Sequence, residues 1–189
     1  MNFALGADSA LLNRVTGGDV SNLLGTLNIN GGQQWLLVNP NGIAIGSSDV
    51  INASNATYST LAVTNDAFLN RQNKDMAWTM PAGKAIAAPI RIDGAKLNFT
   101  QTFELYGGTV YLDDVTINAA GTTHDNEMEI HAISARVTDA DGFTLTATPE
   151  NLVPIKNTTY TNAHVDNGGL NLYDGKVSLD SLDVNGQCA

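Results

Sequence analysis

The chain has a single cysteine, Cys188, one residue from its end. Without a second thiol there is no disulfide framework, and a thiolate zinc site is excluded with it. Charge is also scarce: 15% of the 189 residues are Asp, Glu, Lys or Arg, where an average soluble domain has about a quarter. Cations are scarcest, with 9 Lys and Arg against 19 Asp and Glu and a formal net charge of −10. Such a surface repels phosphate backbones and anionic headgroups, so no nucleic-acid partner is expected and adsorption on anionic lipid is disfavoured. No apolar run approaches the roughly 18–20 residues that cross a bilayer, which leaves no integral membrane segment. Met1-Asn2-Phe3-Ala4-Leu5-Gly6 has neither a basic start nor an apolar core, so no signal peptide is read at the start of the chain. Nothing amphipathic at helical period lasts long enough for a stable helix.

What fills the sequence is Asn, Thr, Ser and Gly, a composition that favours strands and turns. At 19.9 kDa the chain suits one domain with a real core. Short alternating runs cover 26–30, 34–38, 43–45, 50–53 and 57–63, and they resume at 89–92, 96–100, 102–106, 109–112, 115–118, 127–133, 135–138 and 143–147. The last are 160–165, 170–173, 176–179 and 181–184. Ser21 would cap a short helix, but Gly25 four residues after it favours a strand or an irregular rung. Residues 64–82 are the least strand-like. Asn65-Asp66-Ala67-Phe68-Leu69 reads as one capped helical turn or a loop, and an extra-helical excursion is expected near 64–84. Strands of three to six residues at intervals of roughly eight to twelve leave three all-β architectures open: sandwich, barrel and solenoid. Brevity and the small or amidic corner residues favour the solenoid. A coil of rungs buries one face of each strand, pairs its backbone above and below, and lets Asn and Thr stack as side-chain ladders.

One stretch is far more specific. Leu12-Asn13-Arg14-Val15-Thr16-Gly17-Gly18, then Ser21, then Leu24-Gly25-Thr26-Leu27, then Leu37-Val38-Asn39-Pro40-Asn41-Gly42-Ile43 resembles the filamentous-haemagglutinin-type secretion domain, the haemagglutination activity domain of bacterial two-partner secretion. The likeness is strong over residues 3–70, where 61–69 also fit the family's downstream segment. Beyond residue 85 it extends only to architecture. The resemblance implies an all-β fold, a right-handed, single-stranded parallel β-helix. It would form one domain over 1–189, with a signature region in 1–70 and continuing rungs over 85–189, as a fragment of a larger exoprotein. It also implies a partner, the periplasmic domains of an outer-membrane β-barrel transporter of the TpsB type. The expected location is secreted or at the bacterial cell surface, where the mature protein is an adhesin, cytolysin or toxin carrier with a host-cell or glycan receptor. Carried over residue by residue, Asn39, Pro40, Asn41 and Gly42 belong to the family's signature turn, and Asn13 and Arg14 to its preceding motif. Three departures stand out: no signal peptide and cap before Asn13, no second Asn-Pro-Asn-Leu motif, and no cysteine pair after the signature turn. The last two place the chain outside the haemagglutinin subgroup.

Turn chemistry alone accounts for Asn39–Gly42. Pro presets φ for a turn and Asn-Gly tolerates positive φ just after it, so a structural role comes before a transporter contact. Arg14 is expected to pair with a carboxylate such as Asp19 or to bind corner carbonyls. A rival function, a carbohydrate-active or carbohydrate-binding β-helix, would use the aspartates Asp113-Asp114, Asp139/Asp141 and Asp180/Asp183, and predicts them on one groove. Asp139-Ala140-Asp141-Gly142 is too short for a calcium loop. His124, His131 and His164 match no metal or triad spacing, and His131, on the polar side of an alternating strand, is expected in solvent. Trp35, Trp78, Tyr106 and Tyr111 read as a sugar-stacking face or as core. The Asn-x-Ser/Thr triplets at Asn52, Asn55, Asn98 and Asn157 are the chance product of an Asn- and Thr-rich chain. No catalytic residue, metal site or cofactor is expected.

Overall fold

The computed structural model describes residues 1–32, 34–71, 76–121, 127–139, 142–162, 169–173 and 175–186. The chain winds as a coil with up to three short strands per turn. The first rung is β1 (Asn2–Leu5), β2 (Ala10–Arg14) and β3 (Ser21–Leu23), and the second is β4 (Thr26–Gly31), β5 (Gln34–Val38) and β6 (Ile43–Ile45). The third, β7 (Val50–Ala53) and β8 (Ala56–Ser59), is interrupted by an excursion carrying α1 (Asn65–Leu69) before it closes with β9 (Pro89–Asp93). The fourth is β10 (Lys96–Phe99), β11 (Thr102–Gly107) and β12 (Thr109–Asp113). The fifth has β13 (Thr116–Ala119) and β14 (Glu127–Ala132), a hairpin of β15 (Ala135–Asp139) and β16 (Gly142–Thr146), then β17 (Leu152–Lys156). β18 (Thr158–Asn162), β19 (Leu170–Tyr173), β20 (Lys176–Leu179) and β21 (Leu182–Gly186) complete the described chain.

Equivalent strands stack in parallel into three sheets. Sheet A runs β1-β4-β7-β10-β13-β18-β21, sheet B β2-β5-β8-β11-β14-β19 and sheet C β3-β6-β9-β12-β17-β20. This is a right-handed, single-stranded parallel β-helix, the hand expected of parallel crossovers.

Register puts like on like. Leu27, Ile51, Leu97, Ile117 and Tyr160 form one inward column of sheet A, and Leu23, Ile45, Ile92, Leu112 and Ile155 one of sheet C. Within the coil, Phe3 of sheet A and Trp35, Tyr58 and Phe103 of sheet B follow one another at ring separations of 5.4–5.7 Å. These side chains make one continuous interior core. Outside sheet A, the expected ladder is present. Asn28, Asn52, Asn98 and Asn118 each donate Nδ2–H to the Oδ1 of the asparagine one rung earlier, beginning at Asn2, at 2.7–2.8 Å.

Two expectations from alternation fail at the same place. The run 57–63 alternates as one strand would, yet β8 ends at Ser59, and Leu61 and Val63 pack in a second buried cluster outside the coil. Ser59 Oγ accepts from Leu61 N at 3.0 Å, and Thr60 Oγ1 donates to Ala88 O at 2.6 Å, tying both ends of the excursion together. The runs near 135–138 and 143–147 are not rung strands either: β15 and β16 pair antiparallel with each other. Periodicity cannot separate these cases, because a strand packed on the outside alternates just like one on the inside.

The excursion and the hairpin fold together over the outer face of sheet B. Trp78 and Arg136 exchange both backbone bonds at 2.8 Å, and Leu36, Val38, Leu61, Val63, Met76, Trp78, Tyr106 and Ile133 form the layer between. The helical turn is capped as the sequence implied, with Thr64 Oγ1 accepting from Ala67 N at 3.0 Å. It remains one short turn, as its five residues allow.

Candidate functional site

The signature turn sits at the corner between β5 and β6, and its side chains point back into the corner of the rung before. Asn39 is wholly buried. Its Nδ2 donates to Asp19 O at 2.9 Å and to Ser21 Oγ at 2.8 Å, while Oδ1 accepts from Asn41 N at 2.9 Å. Asn41 Nδ2 in turn donates to Gly17 O at 2.7 Å. Two amides therefore fasten the loop 16–20 of the first rung to the turn of the second. Pro40 is half-buried and carries the bend, and Gly42 N closes it on Asn39 O at 3.1 Å. Gly42 has φ +123°, and a Cβ there would meet Pro89 O and Val20 at 3.4 Å, so this position favours glycine on conformation and on space.

Asn13 and Arg14 lie on β2, one strand away. Asn13 Nδ2 donates to Leu36 O at 3.0 Å, crossing from the first rung to the second. Arg14 donates Nη2–H to Val63 O at 2.8 Å and Nη1–H to Asn65 Oδ1 at 3.0 Å. Its role is therefore to hold the start of the excursion, with carbonyl and amide oxygens as acceptors. The six singled-out residues thus form two groups: Asn39, Pro40, Asn41 and Gly42 lock one corner, while Asn13 and Arg14 lock rungs and excursion alongside.

Among the described residues the rival chemistry is not assembled. Asp113 lies 3.4 Å from Lys156 Nζ on the neighbouring rung, and Asp114 takes a φ of +54° to turn the corner. Asp180 follows the residue paired with Ile155, and Asp183 is exposed in sheet A opposite Thr159. These are corner and surface carboxylates, and Lys156 stands between the rungs of Asp113 and Asp180. The Asp139 side chain, Asp141, His124, His164 and Cys188 lie outside the described residues. Among the described residues no group of His, Cys, Asp or Glu is placed to hold a metal ion, and no helix is long and apolar enough to cross a membrane.

The sugar-stacking face also dissolves. Trp35 is in the interior core, Trp78 and Tyr106 are buried under the excursion, and the half-buried Tyr111 has the Arg91 guanidinium 4.0 Å over its ring. Of the triplet asparagines, Asn52 and Asn98 spend their amides in the sheet A ladder.

His131 corrects its expectation outright. It is 2% exposed, stacked between Tyr106 at 4.3 Å and Tyr173 at 4.5 Å, with Nε2 3.0 Å from Glu129 Oε2. Around it lies a polar cluster that pattern reading missed. Glu104 is buried and accepts from Thr57 Oγ1 at 2.6 Å, Gln34 Nε2 at 3.3 Å and Tyr106 OH at 3.4 Å. The buried Arg136 donates Nη1–H to Tyr106 OH at 2.7 Å. Burial holds the Tyr106 phenol well above its ordinary range, Glu104 and Glu129 add to this, and Arg136 opposes it. The only sequence signal was indirect: the excursion expected near 64–84 must pack somewhere.

Fold and corner together define an all-β solenoid domain whose first two rungs are interlocked by the turn Asn39–Gly42. The TPS secretion domain family matches residues 2–187, and the chain belongs to that family. It is thus the secretion domain of an exoprotein of two-partner secretion, and the match points to a non-enzymatic module. Among solved structures, the crystal structure of the HMW1 secretion domain from Haemophilus influenzae is similar with a TM-score of 0.66 at 24% identity, over 91% of this chain and 52% of that one. The chain spans about half the length of that relative, and at this identity the likeness speaks to the fold. No curated protein matches the chain.

Proposed function

We propose that the first rungs are read by the periplasmic domains of a dedicated outer-membrane β-barrel transporter of the TpsB type. The exoprotein they lead acts as an adhesin, secreted or at the cell surface, toward a host-cell or glycan receptor. Residues 1–70 are the signature region of one β-helix domain that continues through 85–189 and belongs to a larger exoprotein. The observation that carries the reading is the interlocked corner. Asn39 and Asn41 bind backbone of the loop 16–20, whose residues Thr16–Val20 are all exposed. A buried amide cannot itself touch a transporter, so Asn39 acts by presenting that loop in one conformation. Pro40 and Gly42 set the bend, and Asn13 and Arg14 fix β2 beneath it.

The test supplies a signal peptide and the cognate barrel, then compares export of wild type, Asn39→Ala and Asn41→Ala. Circular dichroism on the purified domains controls for folding. Export of both variants should fall, with Asn39→Ala the worse. Undiminished export of both removes the signature turn from recognition.

A further inference from the structure

The signature turn contains a reactive pair of residues. An asparagine side chain is open to attack by the backbone nitrogen of the residue after it, and glycine, lacking a Cβ, hinders that attack least. Asn41-Gly42 is such a pair, and among the described residues only Asn30-Gly31 and Asn185-Gly186 match it. Asn39, the buried anchor of the same turn, cannot react this way, because the nitrogen of Pro40 carries no proton to give up. The two amides that lock the corner are therefore chemically unequal.

The reaction needs only the chain and solvent. Gly42 N bonds to Asn41 Cγ, its proton passes to the departing side-chain nitrogen, and ammonia leaves a five-membered succinimide. One water then opens the ring to aspartate or isoaspartate. In the folded corner each reacting group is held elsewhere. Gly42 is buried and its N–H is donated to Asn39 O at 3.1 Å. Asn41 Nδ2 donates to Gly17 O at 2.7 Å and to Asn39 Oδ1 at 3.3 Å, and Asn41 N to the same Oδ1 at 2.9 Å. Turning the Asn41 side chain onto its own backbone breaks the bond across to the first rung. Asn30 and Asn185, by contrast, are exposed.

We propose that Asn41 is a site of spontaneous modification, protected in the folded corner and reactive in the unfolded chain, whose conversion weakens the lock between the first two rungs. A carboxylate at this position has no N–H for Gly17 O or Asn39 Oδ1, so two hydrogen bonds become oxygens facing oxygens. Isoaspartate does more, since it moves a methylene into the main chain of a turn that Asn39 holds against Asp19 O and Ser21 Oγ. The corner thus records how long the chain has stayed unfolded.

The test incubates the wild-type domain at mildly alkaline pH, folded in buffer and unfolded in urea. Peptide mass spectrometry follows the change from amide to acid at Asn41, with Asn30 and Asn185 in the same sample as internal references. In urea the three should react at similar rates. In the folded domain Asn41 should fall behind the references by about tenfold or more, because it reacts only through local opening of the corner. Alongside, Asn41→Asp reads the consequence, and its urea midpoint should lie below that of Asn41→Ala, which leaves Gly17 O unpaired but unopposed. The proposal is overturned by an Asn41 that keeps pace with the references in the folded domain. An Asn41→Asp midpoint no lower than that of Asn41→Ala overturns it equally.

Discussion

The outer faces of sheets A and B belong to the same coil and share its register, yet they are built on opposite plans. Among the described residues sheet A carries no second layer, and its second, third and fourth rungs repeat the same solution: an asparagine that donates to the rung before and accepts from the rung after. Sheet B is covered, and its outer residues change from rung to rung, from Leu36 to Thr57, Glu104 and Glu129. A face in water satisfies its polar groups by repetition or by solvent. A face under a second layer takes partners from that layer, so charged and aromatic groups enter it one at a time. The repeated face carries stability spread thinly along the axis. The covered face concentrates it where the two added elements meet, at Trp78 and Arg136.

The broadest expected effect acts on both the core and the covered face. Burial pushes the Tyr160 phenol up to about 12, and holds Tyr58 and Tyr106 well above their usual range. In the unfolded chain phenols ionise near 10, so above that pH the unfolded state binds fewer protons than the folded one. Stability is fully present below pH 10 and lost as pH rises beyond it. Urea midpoints measured from pH 8 to 12 should fall only past 10, with tyrosinate absorbance appearing together with unfolding. Early ionisation without unfolding would contradict the burial of these rings.

Next in size is Trp78→Ala, which strikes the covered face alone. The ring is 1% exposed and stacks on Tyr106, and such truncations cost about 3–5 kcal/mol. Urea unfolding should show that loss, with rapid proteolysis within 60–88, while the sheet A strands keep their exchange protection in the remaining folded population. A loss below about 1 kcal/mol would mean that the outer layer is not integral to the domain. Asn39→Ala follows, at about 2–3 kcal/mol, because it deprives Asp19 O, Ser21 Oγ and Asn41 N of a partner that is itself wholly buried. Asn41→Ala, half-buried, should cost about 1 kcal/mol. Equal losses from the two would deny the corner its buried anchor.

The same contrast explains what the sequence disclosed. The coil interior, the corner turns and the ladder are repetitive, so alternation and turn chemistry favoured a solenoid over a sandwich or barrel, and the ordered motifs that carry Asn13, Arg14 and Asn39–Gly42 gave the resemblance that implied the parallel β-helix. The run 65–69 was legible as one capped helical turn or a loop, and the structure supplies Thr64 as the cap. The covered face was not. Leu61 and Val63 alternate as a strand would, and Glu129 and His131 look like solvent positions on β14, because nothing local says that residues 76–80 and 135–146 will lie over them. Only the cost of leaving an excursion unpacked hints at a second layer, and it does not say which face.

The smallest effect tests the direction of the repeated face. Asn98 both donates to Asn52 Oδ1 and accepts from Asn118 Nδ2, each at 2.8 Å. Asn98→Asp keeps the second bond and turns the first into two oxygens face to face, a loss of about 1–2 kcal/mol. Asn2 only accepts within the ladder, from Asn28 Nδ2 at 2.7 Å. Asn2→Asp therefore retains its bond, now to an ionised acceptor, and should leave the urea midpoint almost unchanged. Trp78→Ala shifts proteolysis of the outer layer, and neither ladder change should. If both aspartates cost the same, the ladder has no polarity, and the asparagines of sheet A are held by solvent rather than by one another.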